Sequence, residues 1–287
     1  MPVMTTSWLT IPAPLEWLFR KVPLKVYPPN ALPARCNGVS HRETPSLWVF
    51  TSDEAALQGL PSYNPSCLRW QTFLKLSGIA FRLVSSNNHA SPTGALPFLL
   101  PASAATNLPI PSGKLEQYAR EHGTVAEPPP SDAFRTDAYE SLLDHRIRNA
   151  WLYTLYLSPT NVSILDKLYV APVSTSTLVR LNVRYHLRQA AESEILKSTG
   201  KQFIDPAILY ADAREAFSAL ETLLGDGPWF FGAKVPGLFD STVFSYTHLI
   251  LDGKLAWEND RLSDILREFP RLVSHGNKLY DHCWGAS

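Results

Sequence analysis

Prolines determine which parts of this chain can form long helices. Near the start they are concentrated at Pro12, Pro14, Pro23, Pro28, Pro29 and Pro33. Because proline lacks a backbone N–H and clashes with the preceding helical turn, residues 1–45 are predicted to form an irregular arm. A second cluster, Pro128–Pro130, predicts a linker over residues 127–130. The chain therefore divides into this arm, a first domain of residues 46–126 and a second domain of residues 131–287.

The first domain alternates between strand-like and helix-like patterns. The apolar run of residues 47–50 is typical of a buried strand. Asn64 can cap the helix that follows, and Gly78 can stop it. The predicted elements are a strand at 47–50, a helix at 67–77, strands at 80–85 and 95–100, and a helix at 112–121. This order is that of a thioredoxin-like domain, which is an α/β fold.

The second domain carries helical patterns. Asp205 precedes Pro206, an arrangement typical of a cap followed by proline in the first helical turn. We predict helices at 131–157, 180–197, 206–224, 239–252 and 260–283, the last of them interrupted near Pro270. Residues 158–178 contain two prolines and several Ser and Thr residues, and they are predicted to form an ordered loop. The second domain is therefore expected to be all-α.

Charge and cysteine content argue against several classes of protein. The chain has 26 Lys and Arg residues against 26 Asp and Glu residues, whereas nucleic-acid binding normally needs a net basic face. Cys36, Cys67 and Cys283 form neither a disulfide framework nor a zinc pattern, so a reducing, intracellular location is predicted. No apolar run approaches the roughly 18 to 20 residues of a membrane-spanning helix. The chain start does not read as a secretory signal, because prolines interrupt it and no early basic residue precedes them.

Two stretches resemble the glutathione transferases. Residues 94–100, Gly-Ala-Leu-Pro-Phe-Leu-Leu, and the following Pro111-Ser112-x-x-Leu115-x-x-Tyr118 are similar to the strand–turn–helix signature of that family. Residues 229–244, which begin Trp-Phe-Phe-Gly, resemble the segment that starts the buried helix of its C-terminal domain. The resemblance implies a glutathione-transferase-like fold, with a thioredoxin-like N-terminal domain followed by a helical C-terminal domain.

Within that superfamily the chain is more similar to the metaxins. The resemblance is carried by four stretches in order, at residues 67–79, 91–98, 137–157 and 229–244. Metaxins are glutathione-transferase-like subunits of the mitochondrial outer-membrane sorting and assembly machinery, and the Pro-rich extension suits the fungal metaxin-2-like subunit. The resemblance implies a non-enzymatic, peripheral protein on the cytosolic face that helps receive and insert β-barrel precursors. Its implied partners are the β-barrel assembly subunit, a second metaxin-like subunit and the precursors; no cofactor, metal or nucleic acid is implied.

The alternative function is a glutathione-dependent transferase or thiol reductase that uses Cys67. This residue lies in the first turn of a predicted helix, where backbone N–H groups can lower the pKa of a thiol. It can equally be a small residue packed at a helix start. Transferases hold the amino end of glutathione with an acidic or amide residue followed by serine, whereas this chain has Pro111 before Ser112. Because proline offers neither a charge nor an N–H, we predict a degraded glutathione site, with Ser112 as a helix N-cap.

Two further motif residues are predicted to be structural. Pro97 precedes a buried strand and, in the resembled fold, follows a cis peptide bond that fixes the entry to the strand. Asp240 resembles the acidic residue of a capping box, although the cap position holds Gly237 rather than Ser or Thr. The carboxylate of Asp240 is still expected to stabilise the start of its helix.

Three arginines with four-residue spacing share one face of a predicted helix. They are Arg180, Arg184 and Arg188. This face is either an ordinary solvated surface or an electrostatic docking stripe for acidic partner loops or anionic head groups.

The arm is rich in large apolar side chains, which disordered segments usually lack. The residues concerned are Trp8, Leu9, Trp17, Leu18 and Phe19, together with Ile11. We predict that the arm either packs on its own domains or inserts into a groove of a partner, where tryptophan can anchor an interface.

Overall fold

Four short strands of the first domain form one mixed sheet. The computed structural model describes residue 17 and residues 43–102, 108–125 and 133–285. The strands are β1 (Ser46–Val49), β2 (Arg82–Ser85), β3 (Phe98–Leu100) and β4 (Ile110–Pro111), and their order across the sheet is β2–β1–β3–β4. β1 pairs in parallel with β2 and antiparallel with β3, and β3 pairs antiparallel with β4. The sheet confirms the predicted thioredoxin-like domain.

Capping residues define the main helix of the first domain. Its helices are α1 (Asp53–Leu57), α2 (Pro65–Leu76) and α3 (Leu115–His122). The side chain of Asn64 accepts a hydrogen bond from the backbone N–H of Cys67, and Pro65 occupies the first helical position of α2. α2 ends before Gly78, whose φ of +70° is one that glycine adopts without strain. Helix α1, which the sequence patterns do not predict, begins at a Ser52 cap.

One face of α2 packs on the sheet. The buried side chains between them include Leu47, Val49, Phe73, Leu74, Phe98 and Leu99. β3 enters this core directly after a cis Leu96–Pro97 peptide bond. Asn88 holds the approach to that bond, because its side-chain oxygen accepts a hydrogen bond from the backbone N–H of Leu96 at 3.0 Å. The apolar run of β3 is therefore fixed in register against β1.

The second domain is built from helices. They are α4 (133–157), α5 (162–170), α6 (Thr177–Thr199), α7 (Pro206–Leu224), α8 (Leu238–Leu251), α9 (Arg261–Arg267) and α10 (Pro270–Trp284). α4 contains two π-helical turns, and α5 ends in a third. These helices confirm the predicted all-α domain. Among the described residues, no helix combines the length and the apolar character needed to cross a bilayer.

Helix α5 corrects the prediction of a loop over residues 158–178. Prolines and hydroxyl side chains suggest a loop there, but burial decides the outcome, since Ile164 and Leu165 lie in the core of the second domain. Asn161 fixes the helix start, because its side-chain oxygen accepts hydrogen bonds from the backbone N–H groups of residues 258 and 259. These contacts join segments almost 100 residues apart, so local sequence patterns cannot predict them.

Helix α8 lies between α2 of the first domain and α10 of the second. Nearly all of its side chains are buried, including several hydroxyl residues. Ser241 and Thr242 donate hydrogen bonds to backbone carbonyls one turn earlier, at 3.0 and 2.8 Å, so their polar groups are satisfied inside the helix. Leu68 of α2 belongs to the same apolar core as α8. The two domains therefore share a continuous apolar boundary.

Asp240 holds the start of α8 in place. Its buried carboxylate accepts hydrogen bonds from the backbone N–H of Gly237 at 2.9 Å and of Phe230 at 3.1 Å. His275 of α10 places its Nε2 atom 2.9 Å from the same carboxylate. One side chain thus joins α8, the turn at Phe230–Gly232 and α10.

We predict that Asp240→Ala lowers the free energy of unfolding by about 3 kcal/mol, because two backbone N–H groups and the buried ring of His275 lose their partner at once. Urea denaturation followed by circular dichroism measures the change. Asp226→Ala is the matched control, since that carboxylate is 94% exposed in its pair with Arg271 and should contribute no more than about 0.5 kcal/mol. Equal effects of the two substitutions would contradict the anchoring role of Asp240.

Candidate functional site

The amino end of α2 is where a thioredoxin-like fold can activate a thiol, because aligned N–H groups favour an anion there. Asn64 occupies the cap position, and both ends of its side-chain amide are engaged. Its oxygen accepts from the backbone N–H of Cys67 at 3.2 Å, and its nitrogen donates to the Tyr169 hydroxyl at 3.1 Å. The cap therefore connects α2 with α5 of the second domain rather than facing an open cleft.

Cys67 lies on the third residue of α2 and is completely buried. Burial raises the pKa of its thiol to about 12, although hydrogen bonds with the Phe50 backbone and the Ser62 side chain act in the opposite direction. A thiol with this pKa is protonated at neutral pH and is a poor nucleophile. Burial and the raised pKa therefore argue against Cys67 as a nucleophile, and its catalytic role stays an untested alternative.

Aromatic side chains fill the space between the two domains beside Asn64. Phe50 and Tyr63 of the first domain contact Tyr169 edge-on, with ring centroids 5.3 Å from it in both cases. Tyr156 lies 5.8 Å from Tyr169 on the other side. The hydroxyl of Tyr63 donates to the carbonyl of Leu168 at 3.0 Å. We call Phe50, Tyr63, Tyr156 and Tyr169 the aromatic plug.

The plug places the phenols of Tyr156 and Tyr169 in a desolvated environment. Burial raises the pKa of Tyr156 to about 12, and it raises the pKa of Tyr169 well above its usual value. Both phenols are therefore neutral, and they act as hydrogen-bonding core residues. In this conformation a substrate reaching the amino end of α2 would have to displace them.

The predicted glutathione subsite consists of Pro111 and Ser112, whose structural roles differ from that of Cys67. Pro111 closes strand β4, and Ser112 is the first residue of a short 3₁₀ turn that leads into α3. The prediction that Ser112 is an N-cap is wrong, because Pro111 holds the cap position and no side chain makes a capping bond there. Pro97 is buried at the start of β3.

Two of the cavities among the described residues are lined by side chains of both domains. One, of about 300 Å³, has an apolar floor that includes Phe73 and Phe239 and a rim that carries Arg69 and Glu140. The other, of about 410 Å³, lies between α1, α8 and α10 and includes His248. Neither is lined by Cys67, Pro97 or Ser112. Within the described ranges no three His, Cys, Asp or Glu side chains form a group that could hold a metal ion.

The three predicted docking arginines of α6 bond within the protein. Arg184 forms a two-point ion pair with Asp166 of α5. Arg180 donates to the carbonyl of Ser174 at 2.6 Å, and Arg188 donates to that of Leu157 at 3.2 Å. These side chains therefore fasten α6 to the segments before it, and a docking role for their charge stays a prediction.

The predicted arm lies almost wholly outside the described residues. Trp8, Leu9, Leu18 and Phe19 fall outside them, and Trp17 is a helical residue that is 60% exposed. Two features of the structure, the aromatic plug and the exposed apolar side chains of α6, are not predicted from the sequence. The aromatic plug has no periodic signal, and the exposed apolar side chains at the start of α6 are visible in the sequence only as leucines beside arginines.

Comparison with known proteins places this fold among glutathione-transferase-like chains. The family model described as the glutathione S-transferase N-terminal domain matches residues 65–161, and that of the C-terminal domain matches residues 213–279. Among solved structures, GSTFuA3 from Phanerochaete chrysosporium is 12% identical, with a TM-score of 0.49 over 80% of this chain and 97% of that one. FzlA from C. crescentus is 13% identical, with a TM-score of 0.49 over 84% and 90% of the two chains.

Curated relatives carry a more specific name. Metaxin-1 of Mus musculus is 27% identical over 212 residues, which cover 69% of this chain and 63% of the mouse protein. Metaxin-1 of Homo sapiens is 27% identical over 211 residues, 69% of this chain and 43% of that protein. The chain therefore spans less than two thirds of the length of these relatives. Because both are metaxin-1 proteins, the metaxin-2-like assignment stays a prediction.

We predict that Cys67 in the native protein reacts with iodoacetamide at pH 7.5 at least about 100-fold more slowly than an unfolded cysteine, because its raised pKa suppresses the thiolate. Peptide mass spectrometry after timed labelling measures the rate. Labelling in urea is the control, because unfolding removes the burial and should restore ordinary reactivity. Rapid native labelling at Cys67 would contradict the buried, protonated state.

Proposed function

Since the chain belongs to the metaxin family of glutathione-transferase-like proteins, we propose that it is a non-enzymatic subunit of the mitochondrial outer-membrane β-barrel sorting and assembly complex. The observation that carries the proposal is the closed amino end of α2. Asn64 caps this end of the helix, and its amide is bonded to Tyr169 across the domain boundary. A protein in which the amino end of α2 is closed still has outer surfaces that can bind partners.

The absence of enzymatic activity is proposed on chemical grounds. Cys67 is buried with a pKa raised to about 12, so it supplies no thiolate at neutral pH. Pro111 offers no charge and no N–H to the amino end of glutathione. Within the described residues, the two cavities of 300 and 410 Å³ do not include either residue. These observations favour a binding protein over a transferase or thiol reductase.

The proposed task is to receive β-barrel precursors and pass them to the assembly subunit on the cytosolic face of the outer membrane, with a second metaxin-like subunit alongside. Precursor strands expose unpaired backbone groups and alternating apolar side chains, which a receptor can bind by strand addition or in an apolar groove. Strand β2 lies at one edge of the sheet, where it pairs with β1 on one side. This edge is one surface suited to that kind of recognition.

We propose the arm as the contact to the assembly subunit. Its apolar side chains, from Trp8 to Phe19, provide the aromatic and aliphatic anchors that dominate the energetics of interfaces. Trp17 has 60% of its surface exposed, which leaves area that a partner can cover. A double substitution of Trp8 and Trp17 tests this contact, and circular dichroism of the variant checks its folding.

We predict that the tagged full chain captures a β-barrel assembly subunit from solubilised mitochondrial outer membranes and shows no glutathione conjugation above background. Trp8→Ser combined with Trp17→Ser should weaken capture at least about tenfold, since two large anchors are lost. Quantitative mass spectrometry of the captured proteins and a spectrophotometric conjugation assay give the readouts.

The matched control is Leu57→Ser, which removes another exposed apolar side chain and should leave capture unchanged. Glutathione turnover that Cys67→Ala abolishes would overturn the adaptor proposal in favour of the transferase. Capture that survives the double tryptophan substitution would overturn the role of the arm and leave the complex itself in place.

A further inference from the structure

The first half of α6 exposes a cluster of large apolar side chains. Leu178, Leu181 and Tyr185 are 78%, 50% and 61% exposed. They follow one another at intervals of three and four residues, so they lie on one face of the helix. Val173 and Val179 are also exposed beside them. Single exposed apolar residues are ordinary on protein surfaces, but a contiguous set marks a surface that something else covers.

The charge around this apolar face is positive. The sequence contains no Asp or Glu between Asp166 and Glu192, whereas Lys167, three arginines and a histidine fall in that interval. Asp166 neutralises Arg184, whereas Arg180 and Arg188 bond to neutral backbone carbonyls, and no ion pair joins either of them to a carboxylate among the described residues. The whole chain has a formal net charge of zero, and this segment is therefore a local positive excess.

The neighbouring elements do not cancel that excess. Besides Asp166 of α5, the nearest acidic residue in the sequence is Glu192 of α6, and Glu194, two residues further along, pairs with Arg148 of α4. Arg261 of α9 lies near Tyr153 of α4, where its charge and that of Arg188 both lower the pKa of the phenol, against the larger rise caused by burial. The surroundings of the apolar face thus contain more cations than anions.

Apolar side chains flanked by basic residues are the composition of a helix that lies in a membrane interface. Leucine and tyrosine enter the boundary of the acyl chains, while arginine and lysine reach the head groups. We infer that the first half of α6 docks on an anionic lipid bilayer through Leu178, Leu181 and Tyr185. This inference deepens the proposed peripheral location and rests on it.

A protein partner fits the surface less well than a bilayer does. A stable protein interface uses roughly 20 to 30 residues and 800 Å² on each side, whereas the apolar cluster covers two turns of one helix and the loop before it. A second copy docked about a two-fold axis would bring two basic segments face to face, and like charges repel. A fluid bilayer accepts a small convex face and supplies the missing negative charge.

The test is co-sedimentation of the full-length protein with phosphatidylcholine vesicles, with and without phosphatidylserine. We expect binding to the anionic vesicles that falls with added salt, and weak binding to the neutral ones. Leu178→Ser combined with Leu181→Ser and Tyr185→Ser should reduce binding roughly tenfold or more, because the apolar contribution is lost. Circular dichroism checks that the variant folds.

A matched control carries the same number of exposed apolar-to-serine changes at Leu57, Phe203 and Val235. It should bind as the unchanged protein does. An equal loss in both variants, an absence of binding to anionic vesicles, or full binding by the α6 variant would each overturn the inference. The assay contains no mitochondrial partner, so its failure leaves the capture experiment above unaffected.

A photo-reactive residue at Asn182, which lies on the exposed side of α6 between Leu181 and Tyr185, identifies the occupant directly. Irradiation in the presence of anionic vesicles should yield lipid adducts, seen by mass spectrometry. Cross-links to residues 1–42 of the same chain would show that the arm covers this face, and cross-links between two chains would show self-association. Either of these products in place of lipid adducts would overturn the inference.

Discussion

Helix α2 packs against the sheet with one face and against the buried helix α8 with the other. The rest of the molecule depends on this double burial. Phe73 fills the core of the first domain, while Leu68, on the same helix, belongs to the core of the second. Because close-packed interiors leave few voids, neither domain can move along α2 without opening apolar surface to water. Asp240 reinforces the arrangement by fixing the start of α8 against α10.

The same packing decides the chemistry at the amino end of α2. Once α5 lies against the amino end of α2, Tyr169 contacts both Phe50 and Tyr63 and bonds to Asn64. A helix amino end lowers a thiol pKa only where charge is tolerated, and here desolvation outweighs it at Cys67, whose pKa is raised. A fold and a functional residue type are therefore not sufficient for activity. The proposed recognition role would therefore use the outer surfaces of the protein.

Local patterns in the sequence predict much of the fold and little of the site. Asn64 and Gly78 mark the ends of α2, and Asp205 with Pro206 marks the start of α7, because caps and breakers act on adjacent residues. The helical state of residues 162–170 depends instead on Asn161 and a segment almost 100 residues away. The internal bonds of Arg184 escaped prediction for a related reason, because its partner Asp166 lies in the stretch that composition assigns to a loop.

The start of α6 shows how folding and binding can use opposite faces of one helix. Arg184 and Arg188 contribute to the inner face through bonds to α5 and α4, so substituting them would disturb the fold. Leu178 is 78% exposed. Because it buries little apolar surface on folding, it contributes little to the stability of the protein. Folding therefore gives no physical reason for a leucine at that position. A reason exists if the surface is covered in the working state, and the uncompensated charge of Arg180 and Arg188 beside it favours an anionic cover over a neutral one.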